Sequence, residues 1–364
     1  MLRARWPAVP IEELCARVTS GGTPSRSNPA YYDGGTIPWI KTGELRGWYV
    51  DEISERITPS AVRESSAKVF PPETVLLAMY GDGKTMGSVG LIRTPAATNQ
   101  ACCAMLADPK KCDPKFLMYS LVYFRPAILK LAISGAQRNL NGKSIKQFSI
   151  GAPPIEVQHR IASILSAYDD LIENNTRRIA ILEEMARRIY EEWFVRFRFP
   201  GHEGVRMVES VLGLVPEGWS VQGLYDVADL TYGFAFKANL FTEGGEGLGV
   251  IRIRDIRDDY TGTHTTEDVD RKYRVSDGDI LVGMDGAFHM GRWAGGVAWL
   301  NQRVVRFRPK AGIPQSWLFW VTKEPIKTLE ATIVGTTVAH LSARDLKENG
   351  TYFGHSKAAA RVSG

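Results

Sequence analysis

A chain of 364 residues is too long for one typical domain and suits two globular units with a connector. Its 44% hydrophobic and 23% charged residues are an ordinary soluble composition. No run of about 18 apolar residues offers a membrane span, and MLRARWPAVP lacks a signal-peptide core, so a cytoplasmic protein is expected. A net charge of +5 permits nucleic acid as a partner without requiring it.

Residues 1–152 read as a first α/β (α+β) domain with a twisted sheet. Trp6 and the helical pattern IEELCARV come first, then a Gly/Pro/Ser loop from Thr19 to Gly35. The runs IPWIKTGEL, FPPETVLLAMYGDG, MGSVGLI and NQACCAML are short, apolar or β-branched, and punctuated by Gly and Pro, which predicts strands. A helical stretch follows from Lys115 to Ala132, and SGAQRNLNGKSIKQF leads out of the domain.

Residues 153–199 predict one long helix built to pair. Interior-type residues recur at Ile161, Leu165, Tyr168, Ile172, Asn175, Ile179, Leu182, Ala186, Ile189 and Trp193, in steps of four and three: a heptad seam with one polar member. Pro153 and Pro154 suit its start and Pro200-Gly201 its end, allowing roughly 40 residues or about 60 Å. Glu183 and Glu184 stand four before Arg187 and Arg188, which stand four before Glu191 and Glu192, a solvated face. Asn175 either fixes register against a partner helix or marks a wet mid-helix site.

Residues 200–217 read as a linker, and at PEGWSV the chain begins again. In residues 218–347, Trp219 matches Trp6, GVIRIRDIR matches IPWIKTGEL, and ILVGMDGAF matches VLLAMYGDG. Asn301-Gln302 matches Asn99-Gln100, WLFWVT matches FLMYSL, and VGTTVAHLSARDLKEN matches SGAQRNLNGKSIKQF. The order is kept throughout, which marks a duplicated domain rather than a solenoid. Residues 348–364 have no apolar period and are expected to be disordered, so the second rod that the repeat predicts is missing.

Enzyme signatures are absent. GDGKTMG is Gly-rich but lacks phosphate-loop spacing, no dinucleotide fingerprint opens a helix, and no methyltransferase tetrad is present. The six histidines are scattered, and Cys15, Cys102, Cys103 and Cys112 have no metal spacing, so no metal site is expected and the thiols are read as reduced. Asp82 and Asp285 lie at matching turns with no local basic residue to make a nuclease cluster. What remains is a binding protein.

Two similar globules on a stiff helix suit a bipartite target, and double-stranded DNA provides one: phosphates position each reader and base edges specify. Candidate contacts are Arg26, Lys41, Lys84, Arg138 and Lys143 in the first copy. In the second they are Lys237, Arg252, Arg254, Arg257, Arg292, His340 and Thr336 or Thr337. The copies differ most in their polar loops, TSGGTPSRSN against TYGFAFKANL, so the combined site would be asymmetric. A protein-interaction scaffold on a coiled coil is the alternative; it predicts binding indifferent to salt and to duplex sequence.

GGTPSRSNPAYYDGGTIPWIKTGEL, PPIEVQHRIASILSAYDDLIENN, WFVRFRFPGHE and LGLVPEGW, with the duplication and the long helix, resemble the specificity subunit of bacterial type I restriction-modification systems over about residues 6–347. The resemblance implies two target-recognition domains, each followed by a conserved helix, the two helices packing antiparallel as a spacer. It places Tyr32 to Leu45 and Gly135 to Lys143 in the first recognition domain and Ile161 to Trp193 in the conserved helix. It implies no catalytic residue and no cofactor in this chain. S-adenosylmethionine, ATP and Mg are expected on partners: two methyltransferase (M) subunits and restriction (R) subunits. This chain departs from the pattern in lacking the distal helix, which leaves two expectations: the central helix pairs with a second chain, or the product is truncated and impaired. A fused nuclease or methylase is disfavoured by length and by the missing motifs.

Overall fold

The computed structural model describes residues 6–46, 48–81, 85–133, 139–211, 213–242, 245–332, 339–348 and 351–355. The chain divides into two compact units, Met1–Arg178 and Ile179–Gly364, with the boundary inside the long helix.

The first unit is organised around Val75–Ala78, whose sequence VLLA is buried at every position. A strand without polar alternation must be covered on both faces, and this one is. Val75 and Leu77 face the helices Pro114–Tyr123 and Arg125–Ile133, with Leu117, Leu121 and Ile128. Leu76 and Ala78 face a second sheet through Ile40, Phe70 and Ala96. The first sheet is antiparallel, in the order Cys15–Ser20, Cys102–Ala107, Val75–Ala78, Val89–Leu91. The second runs Arg56–Ile57, Ile37–Ile40, Ala96–Thr98, Val69–Phe70, with Trp39 opposite Ala97 in a parallel pair. Ala8–Pro10 and Ser149–Gly151 close the unit as an antiparallel pair.

Two sequence expectations change here. Only Ile11–Leu14 of IEELCARV is helical; Cys15–Ser20 is a strand, held by its ladder to Cys102–Ala107. The Lys115–Ala132 helix is two helices, the second beginning at Arg125 with Pro126 in its first turn, where a missing N–H costs nothing.

The second unit repeats the plan. Ala228–Tyr232, Val304–Pro309, Ile280–Gly283 and Met290–Arg292 form the antiparallel sheet. Leu248–Ile251 and Ala298–Leu300 supply the parallel pair, Val250 opposite Trp299. Gly21 and Gly233 hold the same place: a Cβ would lie 2.1 Å from the Thr98 carbonyl oxygen in one copy and 1.9 Å from that of Asn301 in the other. The residues expected to be a disordered tail contain a strand. Thr351–His355 pairs antiparallel with Trp219–Gly223, as Ser149–Gly151 pairs with Ala8–Pro10.

The long helix runs Ile155–Tyr190 and ends in a π turn, Glu191–Val195. Its start is fixed to the first unit. Gln158, Ala162 and Ser166 are buried, the two small residues allowing close approach. The Gln158 amide accepts from the Asp113 N–H at 3.1 Å and donates to the carbonyls of Lys111, at 3.0 Å, and Pro153, at 2.8 Å. Tyr119 donates to Asp169 at 2.6 Å, and burial together with that bond raises the phenol pKa. Arg93 bridges Asp51 and Glu173 while lying over the Tyr49 ring. At the other end Tyr190 and Phe194 stack, and Phe194 meets both Trp219 and Trp317. Phe197 and Phe199 add two more rings on Trp219.

Truncating Gln158 would strand buried backbone groups, at a cost of about 1–3 kcal/mol. Gln158→Ala is therefore expected to speed amide hydrogen exchange at residues 155–170 and to lower the urea midpoint of the first unit. Unchanged exchange there would show that the helix start is held by other contacts.

Candidate nucleic-acid interface

The two copies place a basic residue at the same strand exit. After Ile37–Ile40 the chain enters a 3-10 turn, and Glu44 reaches back to the Lys41 N–H at 2.9 Å. After Leu248–Ile251 the same turn recurs, with Asp255 accepting from the Arg252 N–H at 2.9 Å. Lys41 and Arg252 are thus equivalent, and each has a carboxylate beside it. Lys41 Nζ lies 2.8 Å from Glu55, whose other oxygen is 2.7 Å from Arg26. Arg26 in turn lies over the Tyr32 and Trp39 rings. The Arg26 bond and then that of Lys41 hold the Glu55 carboxyl below its ordinary range. Arg252 and Arg254 both flank Asp255, at 3.4 and 3.8 Å.

Lys143 lines a groove of about 640 Å³ with Ser20, Tyr80, Gln100, Asn141 and Lys146. Lys237 is exposed, its backbone N–H donating to Glu267 at 2.9 Å. Arg257 is exposed near His289, whose pKa is lowered by burial first and by Arg257 second. Arg292 lies over the Phe319 ring. Lys84, Arg138, Thr336 and Thr337 lie outside the described residues.

His340 does not stand alone. Its Nδ1 is 2.6 Å from Asp285 Oδ1, and Arg303 Nε is 3.2 Å from Asp285 Oδ2. Sequence reasoning found no basic neighbour for Asp285, because both neighbours arrive from other segments; Arg303 was not among the expected contacts.

Along the helix, Ile161 packs on the first unit's core. The seam then emerges into solvent: Tyr168 is 65%, Ile172 62% and Leu182 59% exposed, with Leu165, Ile179 and Ile189 also exposed. Asn175 is exposed among them, while Ala186 and Trp193 are half-buried, Trp193 in the π turn. Glu184 bonds Arg187 and Arg188, which hold its carboxyl at about 2, and Arg187 also bonds Glu191.

Among the described residues no group of three or more His, Cys, Asp or Glu side chains is arranged to hold a metal. No helix among them is long and apolar enough to cross a membrane. Burial pushes the thiols of Cys15, Cys103 and Cys112 up to about 12, far from nucleophilic range.

The family model for type I restriction modification DNA specificity domains matches residues 4–184 and 216–350, one match for each copy. The chain is 31% identical over 234 residues to the type I restriction enzyme MjaIX specificity subunit of Methanocaldococcus jannaschii, covering 63% of this chain and 52% of that one. It is 26% identical over 319 residues to the MjaVIII specificity subunit of the same organism, covering 80% and 72%. An Escherichia coli relative, the EcoR124I/EcoR124II specificity subunit, is 29% identical over 190 residues, covering 51% and 46%. The chain thus spans about half the length of the first of these relatives. Among solved structures, the S subunit of a type I restriction-modification system from M. genitalium superposes with a TM-score of 0.59 at 16% identity, over 98% of this chain and 86% of that one, a likeness of fold. The chain belongs to the family of type I restriction-modification DNA specificity domains and carries two of them.

Proposed function

We propose that this chain is the non-catalytic specificity subunit of a type I restriction-modification complex. Each domain reads one half of a bipartite, asymmetric site in double-stranded DNA, and the central helix sets the gap. The observation that carries this is the duplication: one backbone plan twice, kept down to Gly21 and Gly233, with different charged side chains at matching positions. A shared scaffold with divergent polar ends is what two readers of different sequences need. The domains are residues 1–152 and residues 218–347 with the strand Thr351–His355, joined by the helix Ile155–Tyr190, its π turn and the segment that follows.

Two methyltransferase subunits dock on the central helix and restriction subunits join for cleavage. S-adenosylmethionine, ATP and Mg belong to those partners. The uncovered seam from Leu165 to Ile189 pairs antiparallel with the same helix of a second chain, because an apolar stripe of this length is costly to leave in water.

Co-expressed with its modification subunit, the chain is expected to bind duplex DNA with a steep loss of nonspecific affinity as salt rises and with a sequence-dependent remainder. Binding indifferent to both salt and sequence would favour a protein scaffold. For the helix, sedimentation should give a dimer for the chain alone and a monomer for Ile172→Asp/Leu182→Asp; a monomeric parent would refute self-pairing. Arg26 and Lys41 are held by Glu55, so DNA phosphate must compete with that carboxylate. Glu55→Gln should therefore raise low-salt affinity for random duplex several-fold, and an unchanged affinity would remove this face from the interface.

A further inference from the structure

The backbone fixes which positions of the two domains correspond at their loop ends. In the first, the Met79 N–H donates to Ala101 O at 2.8 Å and the Leu140 N–H to Met79 O at 3.0 Å. In the second, the Met284 N–H donates to Arg303 O at 2.9 Å and the Leu341 N–H to Met284 O at 2.8 Å. The short helices that follow are capped alike, by Asn141 on the Ser144 N–H and by Ser342 on the Asp345 N–H. Tyr80, Ala101 and Asn139 therefore occupy the places of Asp285, Arg303 and His340.

At these three places the copies differ in chemistry. The first offers a phenol 41% exposed, a methyl group and an exposed amide, beside the groove that Lys143 and Lys146 line. The second offers one carboxylate holding two bases. Asp285 is 28% exposed, whereas Arg303 is 55% and His340 48% exposed. One carboxylate oxygen lies 3.2 Å from Arg303 Nε, an ion pair, and the other 2.6 Å from His340 Nδ1, a hydrogen bond, so Asp285 keeps both side chains beside it. An arginine ion-paired on its Nε side can still present its two terminal nitrogens to a ligand with paired acceptors. In the DNA major groove that pattern is O6 and N7 of guanine, whereas an amide such as Asn139 matches N6 and N7 of adenine.

We propose that the Asp285–Arg303–His340 cluster determines base specificity in the second domain: Arg303 reads a guanine edge, with Asp285 as its positioning residue. The equivalent Tyr80, Ala101 and Asn139 give the first domain a different base. This rests on the DNA-recognition reading above and names the residues through which the two half-sites come to differ.

The test is selection of bound duplexes from a random pool by the chain with its modification subunit, in parent form and as Arg303→Ala, Asp285→Asn and Y80D/A101R/N139H. The parent should enrich two short blocks. Arg303→Ala should lose a guanine preference at one position of one block, by roughly tenfold or more, and leave the other block intact. Asp285→Asn should weaken the same position, a readout that a general loss of stability would not give. The triple exchange should alter only the other block, and it keeps the proposal testable if a variant of the second domain folds poorly. Both blocks persisting unchanged in Arg303→Ala overturns this inference and leaves DNA recognition standing. No enrichment by the parent overturns the recognition reading and this one with it.

Discussion

The 36-residue helix is tied at its start to the first unit and at its end to the second, each by its own set of contacts. At the start the buried Gln158 amide ties the first turn to the loop before Pro114, and the small side chains of Ala162 and Ser166 let the sheet-and-helix layer come close. At the far end Tyr190, Phe194, Phe197 and Phe199 gather on Trp219 and Trp317, with the π turn between them. Between these contacts the helix keeps an apolar stripe exposed, and that open seam is what the proposed pairing would cover.

The fold was legible in the sequence wherever burial dictates pattern. VLLA from Val75 and ILVG from Ile280 are both wholly buried strands, and their match marks the duplication. The long helix was equally legible, because its four-three period runs unbroken. Tertiary pairing overrode local pattern at Cys15–Ser20, where a helical-looking run became a strand. It did so again at Thr351–His355, whose apolar residues are too few to announce a strand; its partner Trp219–Gly223 explains it.

The candidate interface was legible only by analogy of position. Lys41 and Arg252 came from matching segments, and the structure gives them matching 3-10 turns. The Asp285 cluster was hidden, since His340 lies 55 residues away in sequence and Arg303 comes from a different strand end. Such a cluster leaves no local spacing to detect. The corresponding first-domain residues share no charge pattern with it, although the hydrogen bonds of Met79 and Met284 place them alike.

The most direct measurement is a hydroxyl-radical footprint of the chain, with its modification subunit, on a duplex that it selects. Two reading domains held by a rod should give two separate protected patches of different sequence, with accessible sugars between them at a constant distance. A single continuous patch, or two patches whose distance varies from duplex to duplex, would contradict the account.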